Sequence, residues 1–234
     1  MADPVIAISG LRFAWPGQPL LLDVEDFTVA AGERVFLRGP SGSGKSTLLG
    51  LIAGVLESQQ GRLGVAGQQL PDLSGSRRDQ VRADQLGVIF QMFNLVPYLS
   101  LLQNVILPCR FSKRRRKATG DAGGPEAEAR RLLARLGIEG EEMLKRPVTD
   151  LSVGQQQRVA AARALIGGPS LIIADEPTSA LDADTRDRFI ELLSEEAGQS
   201  GAAMLFVSHD ASLASLFDRA IDLSRLNTAH QEAV

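Results

Sequence analysis

Short apolar segments alternate with stretches of helical periodicity along much of this chain, and the alternation predicts an α/β fold. The segments that resemble buried strands are residues 35–37, 86–90, 171–174 and 204–207. Most of them lead into the start of a helix, as parallel strands do when helices connect them. We therefore predict a parallel-sheet core with helices packed around it.

A second group of strand-like segments lies mainly before this core. Residues 5–9, 27–30 and 62–66 are short, and residues typical of turns bound each of them. These segments predict a small antiparallel β subdomain beside the parallel sheet.

The middle of the chain has a different character, because helical periodicity replaces the strand signal there. The helical segments are residues 101–108, 126–136 and 155–166. We predict an inserted helical subdomain at residues 91–167, with residues 1–90 and 168–234 forming the core and its β subdomain. Residues 1–234 are then a single domain.

The composition is that of an ordinary soluble globular protein, with 44% hydrophobic and 23% charged residues. A formal net charge of −3 gives no bulk electrostatic reason to bind nucleic acid, so no nucleic-acid partner is expected. The chain shows no secretory signal and no apolar run near the roughly 20 residues of a membrane-spanning helix. We expect a cytoplasmic protein that reaches a membrane through a partner. The lone Cys109 should be a buried, neutral thiol.

Residues 113–117 form an unbroken basic run, and the glycine-rich residues 119–125 follow it. This composition predicts a solvated surface loop. An alternative is contact with anionic lipid headgroups, since clustered Lys and Arg gain roughly 1 kcal/mol each near such a surface. We prefer the loop interpretation.

Residues 39–46, Gly-Pro-Ser-Gly-Ser-Gly-Lys-Ser, match the phosphate-loop pattern G-x-x-x-x-G-K-[ST] between a predicted strand and a predicted helix. The glycines let the backbone curl until several N–H groups face inward toward phosphate oxygens. Lys45 adds a charge toward the β- and γ-phosphates of ATP, and Ser46 offers its hydroxyl to Mg²⁺. The core should therefore have the phosphate-loop NTPase (RecA-like) fold. The candidate nucleotide-binding residues here are Gly39, Pro40, Ser41, Gly42, Ser43, Gly44, Lys45, Ser46 and Thr47.

The strand at residues 171–174 is followed by Asp175 and Glu176. Two consecutive carboxylates at a strand end point in different directions, so Asp175 can serve Mg²⁺ while Glu176 reaches a water in line with the γ-phosphate. By itself the pattern is more often a strand that ends in a solvated turn. Beside a phosphate loop, Glu176 becomes the candidate catalytic base.

Residues 151–155, Leu-Ser-Val-Gly-Gln, resemble the signature motif of ABC transporter ATPases, and they lie between the phosphate loop and the Asp-Glu strand as in that family. The resemblance implies that Ser152, Gly154 and Gln155 contact the ATP bound to a second copy. The physical reason is the same as for the phosphate loop, because the N-terminus of a helix attracts phosphate. Taken alone, Ser152 would be an ordinary helix cap.

The resemblance extends over nearly the whole chain and implies further site residues. Gln91 matches the glutamine that senses Mg²⁺ and the attacking water, and His209 matches the histidine that contacts the γ-phosphate. Asp182 lies in a segment similar to the one that crosses the dimer interface. Trp15 aligns with the aromatic residue that stacks on adenine, and Phe13 is the competing candidate.

The family's architecture also implies the partners. Two copies should sandwich two ATP molecules head to tail, and the membrane-spanning permease should be a separate chain. The segment at residues 92–102 looks similar to the surface that receives the permease. The motifs around it most resemble ATPases of lipoprotein-releasing, macrolide-exporting and cell-division systems, so we expect a peripheral position on the inner face of the cell membrane.

One residue departs from the family pattern, since Val153 stands where the signature usually has glycine. A β-branched side chain that points away from the nucleotide would leave the contacts of Ser152 and Gly154 intact. The alternative functions are an ABC ATPase that drives a non-transport process, such as cell-division signalling, and a phosphate-loop kinase. The kinase alternative leaves the signature unexplained.

Overall fold

The computed structural model describes residues 3–179, 181 and 183–229, and it contains two sheets and a group of helices. The strands are β1 (Ile6–Ala14), β2 (Leu20–Val29), β3 (Arg34–Arg38), β4 (Gln60–Val65), β5 (Gln68–Gln69), β6 (Leu86–Ile89), β7 (Leu171–Asp175), β8 (Ala203–Val207) and β9 (Arg219–Asp222). The helices are α1 (Lys45–Ile52), α2 (Gly75–Gln85), α3 (Leu101–Phe111), α4 (Lys113–Ala118), α5 (Pro125–Arg135), α6 (Glu141–Lys145), α7 (Val153–Leu165), α8 (Ala183–Gln199) and α9 (Leu223–Leu226).

The core is a parallel sheet with the order β6-β7-β8-β3-β9. The four predicted core strands are all present, each within one or two residues of its predicted bounds. Their side chains are almost entirely buried, which is why they appear in the sequence as continuous apolar runs. The fifth strand, β9, lies at the edge beside β3 and has only partly buried or exposed residues.

The predicted antiparallel sheet is also present, with the order β2-β1-β4-β5. Its strands β1 and β2 are longer than the sequence indicated, with 9 and 10 residues. Apolar side chains from this sheet pack with α1 and with one face of the parallel sheet in a single cluster. This cluster fixes the position of the phosphate loop, because that loop joins β3 to α1.

Helices α3 to α7 occupy the region predicted as helical, and α3 packs against α5 and α7. Ser100 begins α3 with a capping box, since its Oγ accepts from Gln103 N while Gln103 Oε1 accepts from Ser100 N. Cys109 of α3 is buried as expected, and burial raises the pKa of its thiol. Within the described ranges, no helix combines the length and the apolar character that a membrane crossing needs.

The basic run was wrongly predicted to be a loop, because its residues form the helix α4. Ser112 caps this helix by accepting from Arg115 N at 3.0 Å. Arg115 is only 1% exposed, and its guanidinium donates to Leu86 O at 2.6 Å. Burial lowers the pKa of Arg115 to about 10.

Two neighbouring arginines also bind backbone carbonyls. Arg114 Nη1 donates to Asp84 O and to Gly168 O, each at 2.9 Å, and Arg116 Nε donates to Cys109 O at 3.0 Å. Three of the run's side chains therefore connect α4 to the ends of neighbouring elements. Composition alone predicts a solvated loop here because it does not reveal these carbonyl partners. The same contacts occupy three of the arginines, which weakens the alternative that the run binds anionic lipid headgroups.

Candidate nucleotide-binding site

The phosphate loop runs from the end of β3 to the start of α1, and two glycines give it its curvature. Gly42 and Gly44 have φ angles of 80° and 97°, in the left-handed region that favours glycine. A Cβ on Gly44 would lie 2.7 Å from Leu22 Cδ2, so a side chain at position 44 would force the Leu22 side chain to move. Backbone conformation therefore favours glycine at both positions, and close packing adds to this at Gly44.

The start of α1 is suited to an anion. No side chain caps its first N–H groups, and its first turn has no acidic residue. The helix dipole and these N–H groups together favour phosphate. Lys45 Nζ lies against the same loop, where it donates to Gly39 O at 2.7 Å and to Pro40 O at 2.9 Å. Ser41 is exposed beside it, and Thr47 belongs to the first turn of α1.

The side-chain oxygens of Ser46, at the start of α1, and Asp175, at the end of β7, lie close together. Ser46 Oγ donates to Asp175 Oδ2 at 3.4 Å. Burial raises the pKa of Asp175, and the charge of Glu176 raises it further, while the Ser46 hydrogen bond and Lys45 lower it. Because β7 ends at Asp175, this carboxylate lies at the carboxyl edge of the parallel sheet, where ligands of such sheets bind.

Glu176 follows in a strained conformation, with φ 47°. Its N–H donates to Val207 O at 2.9 Å, which holds the backbone against the neighbouring strand β8. Both oxygens of its carboxylate lie 3.0 Å from His209 Nδ1. Asp175 and Glu176 thus have different partners, Ser46 Oγ and His209 Nδ1 respectively, and Glu176 leaves the extended conformation that the sequence analysis assumed. Strain of this kind is typical of functional sites.

Ser208 is a contact of Glu176 that the sequence interpretation did not include. Its hydroxyl donates to Glu176 Oε2 at 3.2 Å and accepts from Asp210 N at 3.2 Å. The residue is buried directly after β8. Its position beside His209, at the end of a core strand, is the signal that could have identified it.

The signature segment begins α7 with a capping box. Ser152 Oγ accepts from Gln155 N at 3.3 Å, and Ser152 N donates to Gln155 Oε1 at 2.9 Å. Val153 is 52% exposed in the single chain. Gly154 lies beside Leu181, whose Cδ2 would be 3.7 Å from an added Cβ. No hydrogen bond between described residues joins this segment to the phosphate loop of the same chain.

The two aromatic candidates differ in accessibility. Trp15 is 43% exposed, whereas Phe13 is 5% exposed and packs its ring edge-to-face with Trp15 at a centroid distance of 5.2 Å. Gln59 holds the backbone just before the indole, because its amide donates to Ala14 O at 2.7 Å and accepts from Ala14 N at 2.9 Å. Of the two rings, only Trp15 presents a large exposed surface.

The structure says less about two other predicted residues, Gln91 and Asp182. Gln91 is exposed and comes just after β6, whose Ile89 pairs with Ala174 of β7, so it follows the strand next to Asp175. Asp182 lies outside the described residues. The phosphate loop, Asp175, Glu176 and His209 follow three adjacent strands, β3, β7 and β8, and lie at the carboxyl edge of one sheet.

Comparison with known proteins agrees with this geometry. The sequence profile of the family described as "ABC transporter" matches residues 22–179. The chain therefore belongs to the ABC transporter family, and it is an ATP-binding, ATP-hydrolysing member of it. The parallel core, the antiparallel sheet and the helices form the cassette of this family.

Two relatives show the range of similar proteins. A lipoprotein-releasing system ATP-binding protein, LolD of Anaeromyxobacter dehalogenans (strain 2CP-C), is 40% identical over 227 residues, which are 95% of this chain and 92% of that one. A macrolide export ATP-binding/permease protein, MacB of Rhodopseudomonas palustris (strain BisB18), is 38% identical over 96% of this chain, which corresponds to 33% of the longer relative.

Solved structures of similar cassettes match over almost the whole chain. The dimeric structure of MJ0796, a bacterial ABC transporter cassette, has a TM-score of 0.81 and 33% identity and covers 93% of both chains. A post-hydrolysis structure of the same cassette, bound to ADP and Pi, has a TM-score of 0.78 and 31% identity, over 96% of this chain and 95% of that one.

Proposed function

We propose that this chain is the ATPase subunit of an ABC transporter whose membrane-spanning permease is a separate polypeptide. The observation that carries the proposal is the convergence of the phosphate loop, Asp175 and the Glu176–His209 pair at one sheet edge. The LolD relative, which has nearly the same length, is described as the ATP-binding protein of a releasing system. The longer MacB relative has its permease in the same chain.

The residues fit a magnesium nucleotide. Ser46 Oγ and Asp175 Oδ2 converge at 3.4 Å, and hard oxygen ligands of this kind suit Mg²⁺, which keeps most of its waters. Ser46 and Asp175 would hold the ion, with Gln91 at the third position. Bound Mg²⁺ would neutralise charge on the β- and γ-phosphates. The loop N–H groups and Lys45 would orient those phosphates for in-line attack.

Glu176 is the general base in this proposal. Its carboxylate accepts the proton of the attacking water, while Ser208 and His209 fix its orientation. With its proton on Nδ1, His209 donates to the Glu176 carboxylate and holds it in place. The strained turn at Glu176 keeps this arrangement in place before the substrate binds.

The complete site requires a second copy of the chain. Ser152, Gly154 and Gln155 of one copy would contact the ATP held by the phosphate loop of the other, and Asp182 would lie at the same interface. The dimeric cassettes among the solved relatives support this arrangement. Trp15 would stack on adenine, because its indole is the exposed ring of the aromatic pair.

The permease would dock on the segment at residues 92–102 and on the groove that Asn94 of this segment helps to line. The groove has a volume of about 600 Å³ and includes Phe90 and Phe111 in its wall, while Met92 and Tyr98 are among the most exposed large apolar residues. Such a surface suits a helix from a membrane partner. The protein would then lie on the cytoplasmic face of the membrane, and the transport names of its relatives favour a transporter over a non-transport ABC ATPase.

Affinity purification of the chain from native membranes tests this function. We expect it to recover a permease with several membrane-spanning helices. The double variant Met92→Ser/Tyr98→Ser should lose the permease but hydrolyse ATP like the wild-type protein when isolated. Recovery of ribosomes or DNA in place of a permease would contradict the transporter assignment. Equal recovery of the permease by wild type and double variant would contradict only the docking surface.

A further inference from the structure

The segment that follows the last strand lies directly against the phosphate loop. Arg38 Nε, at the end of β3, pairs with Asp222 Oδ2 at 3.2 Å. The next residue of each segment is also in contact, because a Cβ on Gly39 would lie 3.2 Å from Leu223 Cβ, and Leu223 is fully buried. Residues 222–227 thus follow residues 38–43 closely, and they end at a buried asparagine, Asn227.

The amide of Asn227 has a partner for each of its hydrogen-bonding positions. Its Oδ1 accepts from Asp23 N at 2.8 Å and from Ala229 N at 3.2 Å. Its Nδ2 donates to Leu21 O at 2.8 Å and to Ser43 O at 3.4 Å. Both partners of Oδ1 are donors and both partners of Nδ2 are acceptors, so only one orientation of the amide satisfies all four contacts.

The contact with Ser43 O determines where the next N–H points. In a trans peptide unit the C=O and N–H groups point in opposite directions. When Asn227 holds the Ser43 carbonyl on the inner side of the loop, the N–H of Gly44 must point to the other side, where phosphate would bind. Gly44 has φ 97° and little intrinsic resistance to rotation of this peptide unit. The orientation of this peptide unit therefore depends on a contact from outside the loop.

We propose that Asn227 is a positioning residue for ATP. It does not touch the nucleotide, but it holds the peptide unit between Ser43 and Gly44 with its N–H toward the phosphates. Asn227 is 3% exposed and connects the loop to Leu21 and Asp23 of β2, so the anchor is rigid. Affinity for ATP should depend on this side chain even though its position is 184 residues from Ser43 in the sequence.

Asn227→Asp is the sharpest variant, because it preserves the shape of the side chain. The new carboxylate can still accept from Asp23 N, but its second oxygen faces the carbonyls of Leu21 and Ser43 without a proton to donate. We expect the dissociation constant of a fluorescent ATP analogue to rise about tenfold. The defect should appear in KM, with kcat at saturating ATP nearly unchanged, because the base Glu176 is not affected.

Thr228→Ala is the matched control. Thr228 Oγ1 donates to Asp23 O at 3.2 Å, so it ties the same segment to β2 without contacting the phosphate loop. This variant should bind ATP like the wild-type protein. An equal loss of affinity in both variants would mean that the segment has only a general structural role, and it would overturn the proposal.

The pH dependence gives a second readout. A buried carboxyl group that faces two carbonyl oxygens has a raised pKa, and in its protonated form it regains one donor. The ratio of the dissociation constants of Asn227→Asp and wild type should therefore decrease from about pH 8 to about pH 6. A ratio that stays constant would contradict the proposed hydrogen bond.

Asn227→Ser provides a second test, in case Asn227→Asp does not fold by circular dichroism. Its shorter side chain removes the reach to Ser43 O and introduces no charge. Weaker ATP binding by this variant, measured well below its unfolding temperature, supports the proposal. Wild-type affinity in a folded Asn227→Ser protein would overturn it.

Discussion

Glu176 and His209 are in direct contact, because His209 Nδ1 lies 3.0 Å from each oxygen of the Glu176 carboxylate. The two residues follow the adjacent parallel strands β7 and β8, and the left-handed turn at Glu176 brings the side chains together. Ser208 Oγ also donates to this carboxylate at 3.2 Å, so two neighbouring side chains orient it.

Glu176→Gln removes the proposed base and keeps the shape of the side chain. We expect normal ATP affinity and a decrease in kcat of at least about 100-fold, since general-base catalysis contributes this much or more. A phosphate-release assay under saturating Mg²⁺ and ATP measures it. Glu139→Gln, which changes an exposed carboxylate, is the control and should be as active as wild type. Wild-type turnover by Glu176→Gln would eliminate Glu176 as the base.

Trp15→Ala should raise the KM for ATP about tenfold, because it removes an exposed ring suited to stack on adenine. Trp15→Phe retains a stacking surface and should recover most of the affinity. Phe13→Leu is the matched comparison. It should lower the unfolding temperature, because Phe13 is buried, with little effect on KM. The opposite pattern would assign the stacking role to Phe13.

Val153→Gly restores the residue usual in the family at a position that is 52% exposed. Since this exposed side chain is not part of the chain's core, its removal should leave the steady-state ATPase rate unchanged or raise it. A variant that folds normally but hydrolyses no ATP would show that Val153 makes a contact that this structure does not contain.

Asp175→Asn should stabilise the protein without nucleotide and abolish Mg²⁺-dependent hydrolysis. Burial and the charge of Glu176 raise the pKa of Asp175, so folding disfavours its ionised form. The cost is present above the folded pKa and disappears as the pH falls below the unfolded pKa of about 4. The gain in unfolding temperature should therefore be larger near neutral pH than in acid. A gain independent of pH would refute this explanation.

Arg115→Ser tests what stabilises α4, the helix formed by the basic run that the sequence analysis predicted as a loop. It leaves Leu86 O without its donor in a buried position, and we expect a loss of about 2 kcal/mol in the free energy of unfolding. The double variant Lys113→Ser/Lys117→Ser changes exposed charges of the same run and should cost less than about 0.5 kcal/mol. Urea denaturation compares them, and equal stabilities would contradict the structural role of Arg115.

The core strands and the motif residues could be predicted from sequence because their signals are local. Continuous apolar runs mark β3, β6, β7 and β8, and the phosphate loop follows the first of them. The helix α2 has no buried residue, and the edge strand β9 is only partly buried, so neither shows a clear hydrophobic pattern.

The sequence does not show which atoms the supporting side chains of the site contact, because these contacts join distant parts of the chain. Ser208 lies 32 residues from Glu176, and Asn227 lies 184 residues from Ser43. The basic run illustrates the same limit, since Arg114 reaches Gly168, 54 residues away. Composition identified its charges correctly but did not identify the carbonyl oxygens that bind them.

The central claim is that each ATP is held between the phosphate loop of one copy and the signature segment of another. Light scattering on Glu176→Gln with and without Mg²⁺ and ATP tests it most directly. We predict the mass of a single chain without ATP and twice that mass with ATP. The added substitution Ser152→Phe should abolish the doubling. A mass that does not respond to ATP, or a dimer that survives Ser152→Phe, would contradict the account.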